Sequence, residues 1–312
     1  MFSLMIISPE KSRSVIRNWM LKRMRIGRSK MKKLFRLMID PEQIVEIKPG
    51  LRLSLDLRIA NQDSIFWFFE ETEPALQWLI KKLLPEGGTF FDVGANVGLM
   101  GLLAAADKKA RVFFIEPHPR LAESIRENIK LNTLTPLPQI LEWAASDKEG
   151  ESQLYIHNPK NDGAHTLKEF PDAIGKCKVR TRRLDNFLNE VKIKRIELMK
   201  IDTEGHDFQV LKGLGDYLDP SIISLLYVEM EHFSTLSRET WDLLWGKGYV
   251  PYLAVPAFID TLYTFQKLEK MGKTITFFRP VNSLVGGNML WCKPGSTYDV
   301  LLNQYFLKAS NL

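Results

Sequence analysis

Residues 89–101, TFFDVGANVGLMG, restrict the possible folds of this chain more than any other stretch. The run opens with the β-formers Phe90, Phe91 and Val93, breaks into glycines, and continues with Leu99, Leu102 and Leu103 at helical spacing. That pattern predicts a strand, a tight glycine turn and a helix, which together point backbone N–H groups at a small polar ligand. Gly94 and Gly98 leave room for the chain to turn and for a ligand to touch backbone, and Asn96 lies between them in the same turn. Asp92 falls at the C-terminal end of the strand, the edge at which open α/β sheets bind ligands. The spacing Asp92-x-Gly94-x-x-x-Gly98 is neither the dinucleotide pattern G-x-G-x-x-G nor a Walker phosphate loop.

Residues 111–115 predict a second strand that ends at Glu116-Pro117. Glu116 follows the glycines by about 20 residues, where an acid on the second strand can accept both hydroxyls of a ribose. The same acid could instead cap the helix that follows at residues 120–132. Residues 139–143 read as a third strand, and the small Ala144 and Ala145 after it leave space for a flat ring. Residues 151–156 and 178–182 read as strands around a polar loop, 158–175, to which no role is assigned. The second informative stretch is residues 196–207, IELMKIDTEGHD. An apolar strand there ends in Asp202 and Glu204, with His206 close by; either carboxylate could also cap the helix that begins near Phe208. Lys200 inside that strand is costly unless paired, and the adjacent carboxylates are its natural partners. Residues 222–230 are the next expected strand, with Glu229 and Glu231 on one face and His232 beyond them. A helix over 241–248 and a last antiparallel strand pair, 274–278 with 288–292, complete the expected order.

Upstream, residues 43–69 look β-like throughout. Ile44, Val45 and Ile47, then Leu51, Leu53, Leu55 and Leu57, flank a Pro49-Gly50 turn, so a small hairpin beside the main domain is expected. Glu73-Pro74 opens a helix through residue 84. Proline in a first turn beside a carboxylate is an ordinary helix start, so a ligand role for Glu73 needs support from elsewhere. Between residues 11 and 36 lie eleven Lys or Arg and no acid; the net charge of +6 belongs to this segment, and the rest of the chain is mildly acidic. Val15, Ile16, Trp19, Met20 and Met24, then Met31, Leu34, Phe35 and Met38, are spaced as two basic amphipathic helices. Such helices suit adsorption to an anionic membrane or capture of an acidic substrate, or an extension packed on the domain with its charges solvated. The two cysteines, Cys177 and Cys292, suggest neither a disulfide framework nor a zinc site, and no metal is expected. No apolar run approaches membrane-spanning length, and the N-terminal apolar residues precede the charges, unlike a signal peptide. The expected location is cytoplasmic, with a peripheral position at the inner membrane face if the basic arm adsorbs.

FFDVGANVG resembles motif I of the class I S-adenosylmethionine (SAM) methyltransferases. With FIEPHP, NIKLN, AASDKEG, RRLDNFL and above all LMKIDTEGHDFQVLKG, the chain resembles the FkbM-type family of SAM-dependent O-methyltransferases from about residue 51 to 293. The resemblance implies an α/β, Rossmann-like fold: a mostly parallel seven-stranded sheet with an antiparallel last strand and helices on both faces. To this the sequence adds the N-terminal helical and hairpin extension, which divides the chain into a basic arm, 1–40, and a methyltransferase domain, 41–312. The resemblance also implies SAM as cofactor and methyl transfer to a hydroxyl of a sugar, surface glycan or polyketide. By motif, Asp92, Gly94 and Gly98 carry over as cofactor-loop residues, Glu116 as ribose ligand, and Lys200, Asp202, Glu204 and Gly205 as the family signature. Glu73 matches an acid these proteins tend to carry before motif I. His206 stands where many relatives have a small residue, and Asp207 where they have Glu. The candidate cofactor-binding residues are therefore Glu73, Asp92, Gly94, Asn96, Gly98, Glu116 and Ala145, and the candidate catalytic residues Asp202, Glu204 and His206. A neutral alcohol is a poor nucleophile, so a carboxylate or histidine near the methyl group is useful as general base. Two other readings compete: a nucleic-acid methyltransferase, suggested by the basic arm, and a non-catalytic SAM-fold protein bound to membranes. Against the first, the fourth strand ends in Ile-Asp-Thr-Glu where amino-directed base methylation uses Asn/Asp-Pro-Pro-aromatic, and no nucleic-acid partner is expected.

Overall fold

The computed structural model describes residues 40–69, 72–157, 160, 162–169, 171–230, 235–256, 275–278 and 287–304. The helices expected within residues 1–40, and Glu231 and His232, lie outside the described residues. The described chain begins with a hairpin, β1 (Glu42–Lys48) and β2 (Leu51–Asp56), which turns through Pro49-Gly50 with Gly50 at φ +79°. Leu51, Leu53 and Leu55 are buried on one face and Arg52 is exposed on the other, as a period of two requires. The β region stops there, a correction to the hairpin expected as far as residue 69: α1 (Ala60–Phe68) follows. Phe66-Trp67-Phe68 favours a strand by propensity, but Ile65, Phe66 and Trp67 are buried from a helix instead, and Trp67 Nε1 donates to Asp63 Oδ1 one turn back at 3.1 Å.

The remaining elements alternate. α2 (Pro74–Lys82), β3 (Thr89–Val93), α3 (Leu99–Lys108), β4 (Arg111–Ile115), α4 (Pro119–Lys130) and β5 (Gln139–Leu141) form the first half. β6 (Ala144–Ala145), β7 (Gly150–Ile156) and β8 (Gly175–Arg182) make a separate three-stranded sheet of order β6-β8-β7. Then come α5 (Leu184–Glu190), β9 (Leu198–Ile201), α6 (Asp207–Lys212), β10 (Leu225–Met230), α7 (Thr235–Gly246), β11 (Val250–Pro256), β12 (Ile275–Phe278), β13 (Gly287–Cys292) and α8 (Thr297–Gln304).

The main sheet has the order β12-β11-β13-β10-β9-β3-β4-β5. β10, β9, β3, β4 and β5 are mutually parallel, and β13 runs antiparallel between β10 and β11. Seven of these strands make the α/β, Rossmann-like class I arrangement with its antiparallel last strand, and β12 adds an eighth at the edge. Residues 274–278 and 288–292 are not paired with each other, contrary to expectation: β11, unrecognised in the sequence, lies between them. Pro251 hides it, because proline reads against a central strand. At Pro251, β11 is paired on its β13 side alone, and its β12 pairing starts at Leu253.

Alternation along the central strands divides the core between the two faces of the sheet. Phe90, Val112, Phe114 and Leu198 pack with α2, α3, α4 and the hairpin, whereas Phe91, Phe113, Met199 and Ile201 pack with α5, α6 and α7. The hairpin is held to α4 through the NIKLN stretch. Asn128 Oδ1 accepts the Ser54 amide at 2.7 Å and Asn132 Oδ1 the Arg52 amide at 2.8 Å, so two asparagines four residues apart satisfy the open edge of β2.

Candidate active site

From β3 the chain winds outward through β4 to β5 and then resumes on the other side of β3 with β9 and β10. In such sheets ligands bind beyond the strand C-termini where the order reverses. A cavity of about 360 Å³ opens there, within the size range of small-molecule sites. Its wall contains Glu73, Gly94, Asn96, Glu116, Ala145, Asp202, Glu204 and His206. Asp92 and Gly98, the other two candidates, lie behind it.

The glycine turn works differently from expectation at one position. A Cβ on Gly94, at φ +76°, would stand 1.8 Å from the carbonyl oxygen of Asp202. The space expected to serve a ligand is filled by the strand-exit backbone of β9, and the missing side chain lets the two loops meet. Gly98, at φ +81°, starts α3 and faces Ile125 and Phe114. Asp92 is buried, and its Oδ2 accepts the Gly101 amide at 3.0 Å, which ties β3 to the first turn of α3.

Lys200 lies opposite Asp92 in the β3–β9 register and is 4% exposed. Its Nζ is 3.2 Å from Asp202 Oδ2, 3.5 Å from Glu73 Oε1, 3.8 Å from Asp92 Oδ1 and 3.4 Å from the Gly94 carbonyl. One cation thus faces three carboxylates, and the acids together hold the lysine pKa well above its usual value despite burial. Glu73 adopts φ +44° at the start of α2; its Oε2 is shielded and has no hydrogen-bond partner among the described residues. Burial raises the Glu73 pKa against the pull of Lys200, and for the same reason Asp92 titrates at about 7.

Glu116, 5% exposed, receives one backbone donor on each oxygen: Asn96 N–H on Oε2 and His118 N–H on Oε1, both at 2.9 Å. Burial pushes it to about 7, against these two hydrogen bonds. Asn96 has φ +55°, and this left-handed turn aims its N–H at Glu116.

At the other end of the cavity, His206 Nε2 is 3.0 Å from Ser146 Oγ, and burial lowers its pKa, which favours the neutral ring. Glu204 has φ +52° and an exposed side chain, and its carbonyl accepts Thr166 Oγ1 at 2.7 Å. Asp207 serves the loop itself, accepting Thr203 N at 2.8 Å and Thr203 Oγ1 at 3.0 Å. Glu229 at the end of β10 stands beside this exit: Asp202, Glu204 and Glu229 each offer an oxygen within 4.8 Å of the other two. Burial first, then the neighbouring Asp202, pushes Glu229 to about 9, so it holds a proton at neutral pH.

The unassigned polar loop also reaches the site. Asp162, Gly163, His165 and Leu167 line the cavity, as does Asn61 of α1. Nothing in their local sequence marks them, because their partners are remote: Asn61 Nδ2 donates to Asn96 Oδ1 at 3.1 Å, and Asn96 Nδ2 to the Asp162 carbonyl at 2.9 Å.

A profile of the methyltransferase FkbM domain matches residues 92–251. The chain is similar to the hexuronic acid methyltransferase AglP of Haloferax volcanii, 27% identical over 163 residues that cover 52% of this chain and 59% of that protein. It is also similar to the 2-O-methyltransferase NoeI of Sinorhizobium fredii, 30% identical over 184 residues that cover 54% of this chain and 74% of that one. Among solved structures, M. jannaschii TYW2 in complex with AdoMet aligns over 81% of this chain and 86% of that chain, at 12% identity and a TM-score of 0.42. The match to AglP thus spans less than two thirds of that protein's length.

Proposed function

The chain belongs to the FkbM methyltransferase family, and from that premise we propose that it transfers the methyl group of SAM to a hydroxyl of a carbohydrate or another small-molecule acceptor. The observation that carries the proposal is a single cavity with a buried, doubly oriented acid at one end and an acidic, lysine-anchored cluster at the other. SAM fits that polarity. Glu116 keeps lone pairs for two ribose hydroxyls, Ala145 and Leu154 offer apolar surface for the adenine, and Glu73 suits the ammonium group. When bound, SAM supplies an electrophilic methyl on a cationic sulfur. The chain's part is to hold the acceptor oxygen in line, exclude water and take the hydroxyl proton at Asp202 or Glu204, with the neutral His206 in reserve. A carbohydrate acceptor is supported by AglP, which is named for a hexuronic acid, and transfer to oxygen by NoeI, which is named a 2-O-methyltransferase.

Cell extract given methyl-labelled SAM and the purified protein, then fractionated into polysaccharide, lipid, small molecules, RNA and protein, tests the acceptor class. Label in the carbohydrate or small-molecule fraction is the expected result; label confined to RNA would overturn it. The cofactor end is tested by calorimetry on Glu116→Ala, which should weaken SAM binding by roughly 1.5–3 kcal/mol. The wild-type affinity should also rise with pH. Ribose hydroxyls favour the ionised form of Glu116, which burial pushes up to about 7. Binding near pH 7 therefore releases protons, and affinity increases as pH passes upward through that value. Calorimetry in buffers of different ionisation enthalpy reads the released protons directly; none released would contradict the assignment.

A further inference from the structure

We infer that Asp162 is a positioning residue for cofactor binding, and that residues 162–165 brace both backbone donors that orient Glu116. The inference rests on the reading of the cavity as a SAM site. Asp162 begins a single 3-10 turn, Asp162–Ala164, in the loop between β7 and β8, far in sequence from the glycine turn. Its carboxylate is wholly buried and bridges two elements: one oxygen takes the Arg120 guanidinium at the start of α4, and the other accepts Gln62 Nε2 of α1 at 2.8 Å. A buried carboxylate held this way has one position, and the backbone follows it.

That backbone is what reaches the site. The Asp162 carbonyl accepts Asn96 Nδ2 at 2.9 Å, while Asn96 Oδ1 accepts Asn61 Nδ2 and the Val97 amide. The Asn96 side chain is thereby fixed on both of its polar atoms, in a residue whose left-handed backbone would otherwise be strained. The amide of that same residue is the donor to Glu116 Oε2. On the other oxygen the donor is His118 N–H, and the His118 ring stacks on His165 with centroids 4.8 Å apart at 29°. The two donors belong to different loops, after β3 and after β4, and residues 162–165 touch both. Thr166 then ties the next position to the Glu204 carbonyl, so the same short segment reaches the acceptor end.

Because the brace acts through Glu116, its removal should matter only while Glu116 can bind. SAM affinity is measured by calorimetry for wild type, Asp162→Ala, His165→Ala, Glu116→Ala and the Asp162→Ala/Glu116→Ala double variant. Asp162→Ala is expected to weaken SAM about tenfold, and to add less than about twofold in the Glu116→Ala background, the non-additivity of residues in one network. Hydrogen exchange on the ligand-free protein gives a second readout: the Asn96 and His118 amides should lose protection in Asp162→Ala while amides of β3 and β4 keep theirs. Should Asp162→Ala fail to fold, Asp162→Asn, which keeps the size and the Gln62 contact, and His165→Ala enter the same cycle. Unchanged SAM affinity in folded Asp162 variants, or losses that simply add, would overturn the inference. If Glu116→Ala itself binds SAM as wild type does, the cofactor reading fails and the inference fails with it.

Discussion

Asp202→Asn should lower the single-turnover rate of methyl transfer at saturating SAM by roughly 10²–10⁴-fold, the range for loss of a general base. The acceptor is the compound labelled in the fractionation described above. Asp202 leaves β9 on the ligand edge of the sheet, with Oδ2 fixed 3.2 Å from Lys200 and Glu229 beside it. The Lys200 ammonium and the Glu229 carboxyl flank Asp202 and hold its carboxylate at the edge of the cavity, where an acceptor hydroxyl can reach it. Glu204→Gln should have the smaller effect, because that side chain is exposed and its loop is anchored through its carbonyl. His206→Ala should act mainly through the lost Ser146 contact. The competing role for Asp202 is a contact to the ammonium of SAM, and it differs in sign of evidence. In that case Asp202→Asn weakens SAM binding first and leaves the saturated rate near wild type. Near wild-type rates in both carboxylate variants would remove them from the mechanism.

The same cluster should give the reaction an alkaline limit, set by loss of the Glu229 proton that steadies Asp202. Glu229 is pushed to about 9, so below that pH it donates its proton toward Asp202, and above it two carboxylates repel each other. The rate should fall as pH rises through about 9, and Glu229→Gln, which is neutral at every pH, should abolish that fall. A wild-type rate that requires Mg²⁺, lost as a requirement in Glu229→Gln, would mean that these acids serve a cation instead.

How much of this site could be read from the chain depended on whether its signals were local. Residues 89–101 change from strand to glycine to helix periodicity within a few positions, and β3, the turn and α3 follow that change. Lys200 stood out because a charge in an apolar strand demands partners, and the structure supplies three carboxylates. By contrast, α1 and β11 were obscured by local preferences that tertiary packing overrides: an aromatic run in one, Pro251 in the other. Asn61, Asp162 and His165 carried no signal at all. Gln62 and Asp162 are 100 residues apart, Asn96 and Asp162 are 66 apart, and only folding makes them neighbours. The role of Gly94 was legible as a need for space, but what fills the space, the Asp202 carbonyl, depended on the approach of β9 to β3.

Lys200→Met should destabilise the domain by about 3–5 kcal/mol at pH 8, the cost of removing one partner from a buried charge cluster. Methionine matches the lysine stem in length and packs well, so the loss isolates the charge from the volume. What remains is Asp92 Oδ1, which already lacks a hydrogen-bond partner, the shielded Oε2 of Glu73, and Asp202 without its ion pair. Desolvation then has no cation to oppose it, and the Asp92 and Glu73 pKa values, raised even with Lys200 present, rise further. The sign of the pH dependence follows. An acid whose folded pKa is raised contributes stability below its unfolded pKa and loses it as pH climbs through the folded value, here about 7 for Asp92 in wild type. The variant should therefore recover part of its deficit at pH 5.5, where those acids can protonate, and show the full deficit at pH 8. Urea unfolding of both proteins at the two pH values measures it. Lys200→Met combined with Asp92→Asn and Glu73→Gln removes the stranded charges, and should restore much of the stability at pH 8 without restoring SAM binding. A deficit under about 1 kcal/mol, equal at both pH values, would mean that the lysine is not what holds these carboxylates in the core.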